Sequence, residues 1–127
     1  MVSTFCQWTI GVQDLDLMAT FWSGALGYHR HDLDSGATQL RPPRYRPESV
    51  LTVLLHPVTA ATKEIDNGNH PDLLVPDGDL ETEARRLISL GATRAEAGRC
   101  EHDPFIVLAD PEGNAFCLVP RRPAPCD

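Results

Sequence analysis

The sequence predicts an α+β fold made of two copies of one strand-helix-strands unit. Two matched stretches and one compositional fact carry that prediction. Gln7-Trp8-Thr9-Ile10-Gly11-Val12-Gln13-Asp14 and His70-Pro71-Asp72-Leu73-Leu74-Val75-Pro76-Asp77 each run from a polar side chain through a partly apolar strand to an aspartate seven positions on. Each is followed by a helix-like segment closing on Leu-Gly, at Leu26-Gly27 and Leu90-Gly91, so the copies are offset by about 63 residues. A chain of 127 residues with 42% hydrophobic content suffices for one core and is short for two independent ones. The two copies are therefore expected to bury their apolar faces as a single domain over 1–127, with modules at 5–58 and 70–120, a connection at 59–69 and a tail at 121–127.

Taken in order, residues 5–13 read as a strand with Trp8, Ile10 and Val12 on one face and Gln7, Thr9 and Gly11 on the other. Asp14 or Asp16 can cap the next helix, in which Leu17, Phe21, Ala25 and Trp22 recur at helical spacing and which Gly27 ends. Tyr28 opens a polar strand, Ser35-Gly36 makes a hairpin turn, and a short strand returns over 37–40. Three prolines make Arg41-Pro42-Pro43-Arg44-Tyr45-Arg46-Pro47 a stiff loop, since proline removes ladder donors. The clearest strand of the first copy is 50–58, with Leu51, Val53 and Leu55 alternating against Thr52, Leu54 and His56.

The second copy begins with a strand over 70–75 and turns at Asp77-Gly78-Asp79 into a helix from Leu80. Its apolar stripe is Leu80, Ala84, Leu87 and Ile88, with Glu81 and Glu83 near its start and Arg85 and Arg86 towards its end, as helix polarity favours. Gly98 and Glu101-His102-Asp103-Pro104 mark turns around a short outer strand. Residues 105–109 form an apolar strand, Asp110-Pro111-Glu112-Gly113-Asn114 a tight turn, and 115–119 the returning partner.

A formal charge of -7 argues against general nucleic-acid binding and against an anionic membrane surface. Arg41, Arg44 and Arg46 form a local basic stretch that either holds an acidic ligand or keeps a loop soluble. No run is long enough to cross a bilayer and the N-terminus lacks a secretion pattern, so a cytoplasmic protein without membrane or nucleic-acid partners is expected. Cys6, Cys100, Cys117 and Cys126 show no Cys-x-x-Cys spacing, and reduced thiols are expected.

Val12-Gln13-Asp14-Leu15-Asp16, Phe21-Trp22, Leu26-Gly27-Tyr28, His70-Pro71-Asp72-Leu73 and Leu108-Ala109-Asp110-Pro111-Glu112-Gly113-Asn114-Ala115-Phe116-Cys117 together resemble the glyoxalase-like branch of the vicinal oxygen chelate superfamily, over residues 5–120. The resemblance implies two βαβββ modules forming one domain, a curved mixed sheet around a cleft, and homodimers. It also implies a small-molecule ligand and, in enzymatic members, a divalent metal held from the first, fourth, fifth and eighth strands. Those places fall on Gln7, His56, His70 and Cys117. Cysteine at the last, where the enzymes carry glutamate, points away from standard glyoxalase I chemistry and towards a softer metal among zinc, nickel, manganese and iron.

Strand parity places Gln7, His56, His70 and Cys117 on the faces opposite the expected helices. Cys117 reads either as a compact buried hydrophobe or as a ligand, and His70 either as a strand-start hydrogen bonder or as a cleft residue. Arg44 and Tyr45, with Arg46, are candidates for a ligand-binding lid. His102 reads as a residue titrating near neutrality or as a turn decoration, and Asp110 and Asn114 read as turn formers. Three functions follow: a small-molecule binder without metal chemistry, a metal-dependent lyase or isomerase acting on a small oxygenated substrate, and a non-catalytic dimeric accessory module.

Overall fold

Alternating apolar and polar side chains set the first strand, β1 (Gln7–Val12), and the turn beyond it is closed by a carboxylate. Asp14 accepts a hydrogen bond from the Leu17 amide at 3.1 Å, satisfying one of the first-turn donors of α1 (Leu15–Leu26). Gly27, at φ 70°, supplies the left-handed residue that ends the helix. The structure, a computed structural model, describes residues 6–45, 51–59, 70–95 and 105–120. The predicted connection and the tail fall outside these residues except for Thr59.

The chain divides into two compact units, Met1–Asp66 and Asn67–Asp127. In the first, β1 is followed by α1, β2 (His29–Asp32), β3 (Thr38–Arg41) and β4 (Thr52–Pro57), in the spatial order β1-β4-β3-β2. The β1–β4 pair is parallel and the other two pairs are antiparallel. The helix covers the Trp8, Ile10 and Val12 face, where Trp22 meets Trp8 edge to face at 5.4 Å and Phe21 at 5.0 Å. The buried stripe is Met18, Ala19, Phe21 and Trp22, whereas Leu17 is 44% exposed. Starting the helix at Leu15 brings Met18 into phase with Phe21, Trp22 and the half-buried Ala25, and rotates Leu17 off the sheet.

The second unit repeats the plan with β5 (Asp72–Leu74), α2 (Leu80–Ser89), β6 (Thr93–Arg94), β7 (Ile106–Ala109) and β8 (Ala115–Val119), ordered β5-β8-β7-β6. Again the first and last strands pair in parallel and the others antiparallel. These are two four-stranded mixed sheets with one helix each, as two βαβββ modules require. Ala84 and Leu87 are the buried residues of α2, while Ile88 stays largely exposed, so its stripe is narrower than the sequence suggests. His70 precedes the strand because Pro71 has no N–H for the ladder, although the Pro71 carbonyl accepts from the Cys117 amide at 3.0 Å. β6 follows α2 directly at Thr93, and the turns expected at Gly98 and 101–104, His102 among them, lie outside the described residues.

The two parallel pairs are spaced alike: Gln7 pairs with Thr52 and Asp72 with Cys117, 45 residues apart in each unit. The helix caps correct the offset between the copies: Asp79, rather than Asp77, accepts from the Thr82 amide at 3.1 Å and stands 65 residues after Asp14. On that offset Asp72, and not His70, takes the place that corresponds to Gln7.

Candidate functional site

Three donors of different chemistry meet on the helix-free face of the second sheet. β5 and β8 pair so that Asp72 lies directly opposite Cys117, and directly paired residues share a face. His70, two residues before Asp72, projects to the same side. Its Nδ1 lies 3.5 Å from Asp72 Oδ1 and 3.9 Å from Cys117 Sγ, and the three donors lie within 4.8 Å of one another. His70 and Asp72 are exposed and Cys117 is only 7% exposed. The cluster is open on one side and anchored in the sheet on the other.

Burial sets the character of the thiol. Removal from water pushes the Cys117 pKa up from 9.0 to about 11, with the negative charge of Asp72 and a hydrogen bond to it acting in the same direction. Cys117 is thus a protonated thiol at neutral pH when nothing positive stands beside it, which disposes of a free thiolate nucleophile. It also joins an apolar floor, packing with Val107 and Val119 against Ala95, Phe105 and Ala115. Cys117 is thus a compact buried hydrophobe, as one of its two readings has it, and it also lines the donor cluster.

Asp72 is the member that sequence reasoning passed over. The signal was available in period-two alternation, which puts the second residue after His70 on the same face. Asp110, the one buried carboxylate among the described residues, is a turn former as expected. It accepts from the amides of Glu112 and Asn114 at 3.0 and 2.9 Å and from the Asn114 side chain, and closes the loop between β7 and β8.

The first unit treats its corresponding positions differently. Gln7 is half-buried, and its side-chain oxygen accepts from Gln39 Nε2 at 2.8 Å and from Thr52 Oγ1 at 3.0 Å. His56 is exposed on the same face, opposite Gly11, four residues beyond Thr52 and so about 13 Å along the strand from it. Tyr45 is half-buried with the Arg41 guanidinium 4.9 Å over its ring, and Arg44 is exposed. Arg46, the third residue of the expected lid, lies outside the described residues, as do Cys100 and Cys126. Cys6 and Cys117 are free thiols.

Against this geometry stand the known proteins. A family profile described as a glyoxalase-like domain matches residues 7–119. A glyoxalase/bleomycin resistance protein from Albidiferax ferrireducens T118 shares 22% identity, with 95% of this chain and 100% of that chain covered and a TM-score of 0.66. A mutant of the fosfomycin resistance protein FosX from Listeria monocytogenes, complexed with Mn(II) and 1S,2S-dihydroxypropylphosphonic acid, gives a TM-score of 0.72 at 15% identity, covering 94% and 91% of the two chains. An enzyme of the glyoxalase/bleomycin resistance protein/dioxygenase family from Burkholderia phytofirmans PsJN gives 0.66 at 17% identity, covering 88% and 94%. No curated protein sequence matches this chain. Among the described residues no helix is long and apolar enough to cross a membrane.

Proposed function

This chain belongs to the glyoxalase-like domain family, and we propose that it is a metal-dependent lyase or isomerase acting on a small oxygenated molecule, with His70, Asp72 and Cys117 holding a divalent ion. The observation that carries the reading is the convergence of nitrogen, oxygen and sulfur donors within 4.8 Å. The residues fit the ion. Metal–ligand distances of about 2.0–2.3 Å in a tetrahedral site put donor atoms roughly 3.3–3.8 Å apart, close to the 3.5 and 3.9 Å found around His70 Nδ1. Neutral imidazole, carboxylate and thiolate would also balance a doubly charged cation. Sulfur in that set favours zinc over manganese.

A divalent ion held by His70, Asp72 and Cys117 would supply Lewis acidity towards a substrate oxygen and would favour the deprotonated thiol. The chain's own residues do the rest. Asp72 faces both His70 and Cys117 and supplies the carboxylate of the donor set. The Val107 and Val119 floor excludes water from the inner side of the cluster, and the exposed sides of His70 and Asp72 leave the outer side open to substrate. Three protein donors with an open outer side would leave room for a substrate oxygen, as catalytic rather than structural sites do.

A metal-free small-molecule binder is the second reading, favoured by Cys117 standing where glutamate is expected and by its raised pKa. Either way the proposal excludes standard glyoxalase I activity. It also includes a curved sheet around a ligand cleft, a homodimer and residence in the cytoplasm, which a ligand-bound crystal structure, light scattering and cell fractionation respectively test.

Elemental analysis of protein purified without chelator or metal-binding tag decides between the two readings. Near one ion per chain, lost in His70→Ala, is expected. No metal in either protein, even after incubation with zinc, nickel, manganese and iron(II), overturns the enzyme reading and leaves the binder. The same assay on Gln7→Ala and His56→Ala measures whether these residues contribute.

A further inference from the structure

We propose that the helix-free face of the first sheet is a binding site for a small organic or inorganic oxyanion, a carboxylate or phosphate group, received by Arg41 and Gln7. The proposal does not depend on the metal cluster. It rests on a surplus of hydrogen-bond donors on a face that holds no acid among the described residues.

The hydrogen bonds across this face run in one direction, and Arg41 fixes it, because a guanidinium can only donate. Arg41 Nε donates to Gln39 Oε1 at 2.7 Å, so the Gln39 amide group faces the other way and donates to Gln7 Oε1 at 2.8 Å. Thr52 Oγ1 donates to the same oxygen at 3.0 Å. Both glutamine carbonyls are thereby used within the row. What remains among the described residues are donors: the terminal nitrogens of Arg41 and the amide NH2 of Gln7. A ligand that satisfies them must be rich in acceptors.

Charge points the same way. Directly paired residues share a face, so His29 lies beside Arg41 and His31 beside Gln39, both histidines exposed. The acidic partners in this unit are on the helix side, where Arg30 bonds Asp16 at 2.7 Å and Asp32 at 2.9 Å. Arg86 and Arg94 of the second unit likewise hold carboxylates. Arg41, by contrast, lies over Tyr45 at 4.9 Å, a contact that positions a guanidinium without neutralising it. In a chain of net charge -7, a half-buried arginine held by one amide and one ring, and facing no carboxylate among the described residues, is poised for a ligand's oxygens.

The test uses chelator-treated protein, so that no ion at Cys117 can capture the probe, and follows backbone amide NMR shifts during titration with inorganic phosphate and, separately, acetate at constant ionic strength set by chloride. Saturable shifts confined to the first sheet, β1 with β2, β3 and β4, are expected, with affinity reduced at least tenfold in Arg41→Gln and only partly in Arg41→Lys. Thermal melts of both variants check folding, and Gln7→Met supplies a second variant that leaves Arg41 in place. Shifts that chloride reproduces, or an affinity that Arg41→Gln and Gln7→Met leave unchanged, would overturn the proposal. Unaltered metal content in Arg41→Gln keeps this result separate from the fate of the metal-centre reading.

Discussion

The two units place different chemistry at one backbone position. Gln7 and Thr52 in the first, Asp72 and Cys117 in the second, occupy equivalent steps of a parallel strand pair, on the side of the sheet away from the helix. The first pair is neutral and ties itself into a row of hydrogen bonds with Gln39 and Arg41. The second is ionisable, makes looser contacts at 3.5 and 3.9 Å with His70, and sits on an apolar floor. A repeated fold therefore fixes where a side chain points while leaving its job to residue identity. On the two proposals made above, one copy presents a donor surface for acceptors and the other a donor set for a cation.

The helices differ as well, and truncating them is the strongest way to break the comparison. Trp22 is fully buried and touches both Trp8 and Phe21, whereas α2 offers Leu87 and Ala84. Trp22→Ala is expected to cost about 3–5 kcal/mol and Leu87→Ala about 2–4 kcal/mol, through lost burial and the cavity left behind. Urea denaturation of both variants measures this. Equal losses would mean that the two helices anchor their sheets equally despite the difference in side-chain size.

Making the second unit resemble the first sharpens the comparison at the site itself. Asp72→Gln combined with Cys117→Thr writes the Gln7 and Thr52 chemistry into the equivalent positions. Metal affinity should then fall by more than about 100-fold, because two of three donors lose their charge. Equilibrium dialysis against zinc reads it out. Retained affinity would show that position, and not donor identity, makes the centre.

Much of this was legible in the sequence. Period-two alternation put Gln7, His56, His70 and Cys117 on helix-free faces, and Gly27, Gly36 and Gly113, all at positive φ, marked real chain reversals. Register was not legible, because hydrogen-bond pairing between distant strands leaves no local trace. The motif spacing made His70 look like the counterpart of Gln7, and the helix caps put Asp72 in that place. The polar row was equally hidden. Gln39 and Arg41 read as the end of a minor strand and the start of a stiff loop, and their partners lie 32 residues away for Gln39 and Gln7 and two residues away for Arg41 and Gln39.

A smaller effect tests the 65-residue correspondence. If Asp14 and Asp79 are equivalent caps, each substitution to alanine should lower stability in the same direction, with Asp14→Ala costing about 1 kcal/mol. Asp77→Ala should do less to α2 than Asp79→Ala, since Asp77 accepts from the Asp79 amide rather than from the helix. Thermal melts of the three variants decide it. A greater loss at Asp77 would restore the 63-residue correspondence at the second helix.

The mildest expected effect is a pH dependence that belongs to one unit only. Burial and Asp72 raise the Cys117 pKa from 9.0 to about 11, so the folded metal-free chain holds that proton more tightly than the unfolded chain does. Where the native state binds more protons, stability falls as pH rises. The contribution is therefore complete below pH 9 and is lost between 9 and about 11. Solvent at the exposed His70 and Asp72 screens the site and holds the loss to the order of 1 kcal/mol. Urea midpoints of chelator-treated protein at pH 8 and pH 10.5, compared with Cys117→Ala, isolate it, because Lys63, the two tyrosines and the other three cysteines are common to both proteins and cancel. Zinc should abolish the difference by taking the proton at neutral pH. An identical decline in Cys117→Ala would mean that the thiol is not held protonated by its surroundings, and the contrast with the uncharged Gln7 and Thr52 pair would then rest on geometry alone.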